Sequence, residues 1–191
     1  LGSPSRYRRE LLARLGLRFE VQAPNVDETP GVGEAPSALA VRLAGEKARE
    51  VAKRFPQAVV IGSDQVADLD GEPLGKPGTH EVAVRQLSRC SGRTVVFQTA
   101  VRVVCAARGF DEGVLVPVQV VFRPLSAREI DTYLRLEQPY DCAGSAKSEG
   151  LGITLLEALR GDDPTALVGL PLIATSSLLR RAGLDPLAAA G

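Results

Sequence analysis

Val59-Val60-Ile61-Gly62-Ser63-Asp64-Gln65-Val66 is the stretch whose reading decides the fold. Three consecutive β-branched residues make a strand built to be covered on both faces, as in the interior of an α/β sheet. The run then meets Gly62, Ser63 and Asp64. A carboxylate directly after an apolar strand is costly to bury without a partner. In open α/β sheets, ligands bind outside the carboxyl ends of the strands. Asp64 is therefore the first residue expected to carry chemistry, although capping of a loop would explain it as simply.

The 191 residues suffice for one domain, 1–191, with a sizeable core. Hydrophobic residues make up 45% and charged residues 24%, the profile of a globular chain. Lys+Arg and Asp+Glu both number 23, so no excess charge points to a nucleic-acid or membrane-surface binder. No apolar run approaches the ~20 residues of a membrane-spanning helix, and no signal-peptide pattern is visible. Cys90, Cys105 and Cys142 are odd in number and lack CxxC spacing. They read as reduced thiols of a cytoplasmic protein, without a disulfide framework or zinc site. His80 is the only histidine. A Ser-His-Asp or Cys-His mechanism would need it, and its place beside a turn does not mark a nucleophile. Chemistry is expected instead from carboxylates, lysines, arginines and a metal.

Before the central strand, Ser5 fits the N-cap of a helix ending near Leu15, with Gly16 after it. Arg8 shares a face with Leu11, Leu12 and Leu15, near the helix N-terminus, and Arg9 is adjacent. Free N–H groups, the dipole and two arginines suit a phosphate there. Arg18 to Ala23 reads as a short strand, and Pro24 to Pro36 as a loop carrying Asp27-Glu28. Pro36 opens a helix to about Phe55. Leu39, Leu43, Val51 and Phe55 recur on one face, with Lys47 in the gap. A lysine in an apolar stripe either snorkels to water or meets an anion.

After it, Asp70-Gly71 signals a hairpin. Gly71 to Pro77 resembles a phosphate-binding P-loop only superficially. Its glycines are one residue too close, and Pro77 stands where Ser or Thr must hold magnesium. Lys76 can still meet phosphate as a point charge. Thr79 caps a helix to about Cys90. Thr94 to Cys105 and Val114 to Arg123 read as paired strands joined by an Ala106–Gly113 loop. Ser126-Ala127-Arg128-Glu129 is a capping box opening a helix to about Glu137. Cys142 to Gly152 is a small-residue loop able to approach a ligand. Ile153 to Leu159 reads as a strand, and Leu170-Pro171 as the start of a helix ending at Gly183.

Several segments together resemble the Maf-like nucleotide pyrophosphatases. They are Ser3-x-Ser5-x-x-Arg8-Arg9, Asp27-Glu28, Glu46-Lys47-Ala48, Gly62-Ser63-Asp64, Gly75-Lys76-Pro77, Cys142-Ala143-Gly144 and Val168-Gly169-Leu170-Pro171. They occur in the family's order along nearly the whole chain. Arg6 departs from the family's usual proline. Gly-Ser-Asp-Gln and the Ala-Gly-Ser-Ala-Lys-Ser-Glu-Gly loop resemble the subgroup acting on 7-methyl-GTP. The pyrimidine-directed subgroup usually carries Asp-Thr and an Ile-Gln-Gly loop at these two places.

The resemblance implies a mixed, strongly curved central sheet flanked by helices, with a central cleft. It implies hydrolysis of a nucleoside triphosphate to a monophosphate and pyrophosphate by a cytoplasmic homodimer, with Mg²⁺ or Mn²⁺ as cofactor. Asp64 would be the general base, and Glu28 with Asp64 would hold the metal. Ser3, Ser5, Arg8, Arg9, Lys47 and Lys76 would bind phosphate. Tyr7, Gln65 and Glu149 are the candidates for reading the base. A small nucleotide is the expected partner. Two other readings stay open: a dTTP/UTP-type pyrophosphatase, and a nucleotide-binding regulator of septum formation without turnover.

Overall fold

The computed structural model describes residues 1–189. Five strands form one sheet in the order β2-β1-β3-β4-β5. They are β1 (Val60–Leu69), β2 (Glu72–Leu74), β3 (Thr94–Cys105), β4 (Phe110–Phe122) and β5 (Leu156–Arg160). The helices are α1 (Arg6–Ala13), α2 (Pro36–Arg54), α3 (His80–Cys90), α4 (Ala127–Glu137), α5 (Leu172–Arg181) and the short α6 (Pro186–Ala189). The expected central sheet flanked by helices is present. Its strands pair antiparallel throughout. The parallel contribution expected of a mixed sheet is confined to Leu1. Its amine donates to Glu20 O and its carbonyl accepts from Gln22 N–H, the two bonds by which a parallel ladder grips one residue.

The capping signals act as read. Ser5 accepts from Arg8 N–H at the start of α1, Thr79 accepts from Val82 N–H at α3, and Ser126 with Glu129 closes the capping box of α4. Where expectation and structure part, longer-range pairing is the cause. Arg18 to Ala23 is not a strand, because Leu1 is its only backbone ladder partner among the described residues. β4 begins at Phe110 rather than Val114, since Cys105 pairs with Phe110 across a tight turn at Ala106–Gly109. Ile153 to Leu159 divides into a 3-10 turn (Leu151–Leu155) and β5, which starts only where it reaches Phe122. α5 starts at Leu172, one residue after its Pro171 N-cap, and ends at Arg181.

The largest correction concerns the central stretch itself. Val59 lies outside β1, and the strand runs on through Leu69. Asp64 is therefore in mid-strand, opposite Ala100, and not at a carboxyl end. The polar residues continue the strand because β3 pairs with their backbone and each side chain finds a partner: Lys47 of α2 for Asp64, Ala100 O and Gly169 O for Ser63, and Thr99 Oγ1, Ala166 O and Leu167 O for Gln65.

Alternation along β1 sends Gly62, Asp64 and Val66 toward α2, and Ile61, Ser63 and Gln65 to the other face. Gly62 is the contact point with α2. A Cβ there would meet Ala44 O and stand 2.6 Å from Ala48 N, so only glycine lets the helix lie this close. No helix among the described residues is long and apolar enough to cross a membrane.

Candidate active site

β2 pairs only with Ala67 to Leu69, and Gly2 N–H takes Ile61 O. Between these points the outer edge of β1 opens onto a cleft of about 780 Å³. Hence Asp64 and Gln65, neighbours on opposite faces of the strand, both line it.

The close approach of α2 sets the floor. Lys47 Nζ lies 2.6 Å from Asp64 Oδ1 and 2.8 Å from Glu28 Oε1. Lys47 and Asp64 are 5% and 7% exposed, so the lysine does not snorkel; it meets an anion. Asp64 Oδ2 has no protein hydrogen-bond partner among the described residues. Glu28 comes from the surface loop, with its side chain 61% exposed. Neighbouring Asp27 turns back to Thr29 N–H instead, and Glu46 pairs with Arg42.

One flank belongs to α1 and the segment before it. Arg8 Nε donates to Gly169 O at 2.9 Å and Nη1 to Ser3 Oγ at 3.2 Å. Burial lowers the Arg8 pKa, and the charges of Asp64 and Glu28 pull it back up. Ser3 is buried and Ser5 half-buried, both on the cleft wall. Arg9 does not line the cleft and is exposed, because one residue along a helix turns the side chain by ~100°. Lys76 also lines the cleft and is exposed.

A wall of loops holds Glu149, and Tyr7 lines the cleft from α1, beside Arg8. The Arg6 guanidinium stacks 4.7 Å from the centroid of the Tyr7 ring and donates to its hydroxyl, so one face of that ring already carries a cation. Glu149 is exposed, on a loop stapled from behind. Lys147 Nζ donates to Glu137 Oε1 at 2.6 Å, and Glu137 Oε2 accepts from Leu151 N–H at 2.7 Å. A Cβ on Gly150 would fall 2.5 Å from the same Glu137 carboxylate, so a side chain there would push that carboxylate from its place. Gln65 Nε2 donates to Thr99 Oγ1, Ala166 O and Leu167 O. Thus every expected site residue except Arg9 lines one cleft.

Several residues outside the expected site hold this arrangement. Gly169, at φ 118°, directs its carbonyl to both Arg8 and Ser63 Oγ. Asp163 is buried and accepts from Thr165 N–H, Thr165 Oγ1–H and Ile173 N–H, fixing the turn that carries residues 166–169. Val168-Gly169-Leu170-Pro171 was the available signal for this turn. Glu137 and Thr99 had none, since their partners lie on distant segments.

The donor set fits a divalent cation. Glu28 and Asp64 already converge on one positive atom. Among the described residues no group of three or more His, Cys, Asp or Glu gathers, so water and substrate phosphates would complete the shell, as Mg²⁺ prefers.

The family profile described as "Maf-like protein" matches residues 1–182. A protein of Polaromonas sp. named 7-methyl-GTP pyrophosphatase is 67% identical over 184 residues, 96% of this chain and 84% of that protein. Proteins of the same name from Albidiferax ferrireducens (99% of this chain, 95% of the relative) and Methylobacillus flagellatus (97% and 96%) are 61% and 58% identical. With a matching profile over almost its whole length and relatives this similar, the chain belongs to the Maf-like family.

Proposed function

We propose that this protein hydrolyses 7-methyl-GTP to 7-methyl-GMP and pyrophosphate. The observation that carries the reading is the buried Lys47–Asp64 pair, met by Glu28, in a cleft flanked by Arg8 and Lys76. The names of the relatives at 58–67% identity support the same substrate.

In this reading Arg8, Lys47 and Lys76, with the Ser3 and Ser5 hydroxyls, bind the triphosphate and neutralise its charge. Asp64, oriented by Lys47, takes a proton from the attacking water through its other oxygen. The water oxygen bonds to the α-phosphorus, and the bond to the bridging oxygen breaks, releasing pyrophosphate. Glu28 and Asp64 are the residues that would hold Mg²⁺ or Mn²⁺, whose chemistry is to spread the charge on the phosphate oxygens. Glu149 accepts the paired N1–H and N2–H₂ donors of guanine, and Gln65 reads a further group. Tyr7 offers the ring face opposite Arg6 to the positively charged methylated base. A cytoplasmic homodimer is part of the same proposal, supported by the family resemblance.

Pyrophosphate release from 7-methyl-GTP, GTP, dTTP and UTP, with Mg²⁺ or Mn²⁺ and then with EDTA, tests it. The expected result is metal-dependent turnover with 7-methyl-GTP well ahead. Preference for dTTP or UTP would overturn the base assignment. Binding without pyrophosphate from any nucleotide would favour a regulator without turnover.

A further inference from the structure

Gln65 on β1 and Thr99 on β3 are register partners, so their side chains leave the sheet on one face. The Ala166–Val168 turn packs against them. Gln65 Nε2 lies 2.9 Å from Ala166 O and 3.0 Å from Leu167 O. Carbonyl oxygens only accept, so the amide nitrogen must face them. The reversed amide would set its oxygen against both. Thr99 Oγ1 accepts from the same nitrogen at 2.8 Å and donates to Ala166 O at 3.0 Å. Thr99 is fully buried and does not line the cleft.

We propose that Thr99 is a specificity-determining positioning residue. With the Ala166 and Leu167 carbonyls it locks the Gln65 amide, so that this side chain offers the cleft an acceptor, Oε1, and no donor. The inference rests on the base-reading role proposed above for Gln65. A free glutamine turns its amide to suit either a donor or an acceptor. A locked one rewards only an N–H: with Glu149 on N1–H and one N2–H of guanine, the second N2–H is left for Gln65, whereas thymine and uracil present a single N–H between two carbonyls. Thr99 thereby acts on the choice of base through Gln65, without touching substrate.

Thr99→Val removes the hydroxyl while keeping the shape, and Thr99→Ser restores it. The expected result for Thr99→Val is a roughly 3- to 10-fold fall in the ratio of kcat/KM for 7-methyl-GTP to that for dTTP, the scale of one neutral hydrogen bond. The loss should fall on KM for 7-methyl-GTP more than on kcat, and Thr99→Ser should recover the ratio. Equal losses on both nucleotides, or an unchanged ratio, overturn the proposal. A second arm needs no turnover: hydrogen exchange of the Gln65 side-chain amide, followed by NMR in the nucleotide-free protein. Slow exchange in the unmutated protein, faster in Thr99→Val, supports the lock; fast exchange in the unmutated protein overturns it. That arm decides the lock even if the unmutated protein releases no pyrophosphate, an outcome that overturns only the proposed activity.

Discussion

The floor of the cleft and its wall of loops are built on different physical terms. The floor hangs on regular elements: Lys47 from α2 and Asp64 from β1, pressed together at Gly62 and both buried. The wall hangs on loops, with Glu149 and the 166–169 turn held by stapling contacts from Glu137 and Asp163. A floor of this kind holds its charges in one geometry, as triphosphate chemistry needs. A wall of stapled loops can change its readout by exchanging a few side chains. The proposed chemistry thus rests on regular elements, and one part of the proposed base readout, Glu149, on a stapled loop.

Removing the proposed base should give the largest effect. Asp64→Asn is expected to lower kcat by ~10²–10⁴-fold while keeping the fold, as steady-state pyrophosphate release and circular dichroism would register. A near-native rate would take the chemistry away from the floor. Lys47→Met next: it leaves Asp64 buried and unpaired, an arrangement that costs ~3–5 kcal/mol. Denaturant unfolding should show that loss, and adding Asp64→Asn should return part of it. Additive losses would mean that the two side chains do not depend on each other. Gly62→Ala should cost ~1–3 kcal/mol, because α2 must move off β1. Its melting temperature and kcat should fall together, whereas a change of substrate ratio alone would blur the division between floor and wall.

The remaining two effects are smaller. Glu28→Gln should raise the Mg²⁺ needed for half-maximal activity by a few-fold, since this carboxylate is largely exposed. An unchanged titration would move the metal ligand elsewhere. On the wall, the hydrogen bonds from Lys147 and from Leu151 N–H hold Glu137 below its ordinary value of 4.5. A carboxylate depressed on folding adds stability that is fully present above the unfolded value and is lost as pH falls through the lower folded value. Below about pH 4.5 the 147–151 segment should therefore loosen, with the Leu151 amide exchanging faster than the intrinsic pH dependence predicts. Exchange that follows only the intrinsic pH dependence would show that Glu137 does not hold the loop.

What the sequence determined alone is mostly local. Caps at Ser5, Thr79 and Ser126, Pro36 at the head of α2 and the Asp70-Gly71 turn are set by neighbouring residues, and they ended or joined elements where read. The misfit of Lys47 in an apolar stripe was legible for the same reason, as was the unusual carboxylate after Val59-Val60-Ile61. Tertiary structure decided everything that depended on a distant partner. It carried β1 past Gly62 because β3 was there to pair with it, and so put Asp64 in mid-strand. It denied Arg18 to Ala23 a ladder, turned Arg9 away from the cleft, and gave the Lys47 charge to Asp64 and Glu28. It also chose which end of the Gln65 amide the cleft sees, through carbonyls about a hundred residues away along the chain. Backbone carbonyls are the same at every position, so no pattern of side chains could mark Ala166 and Leu167; only the approach of their turn to β1 did.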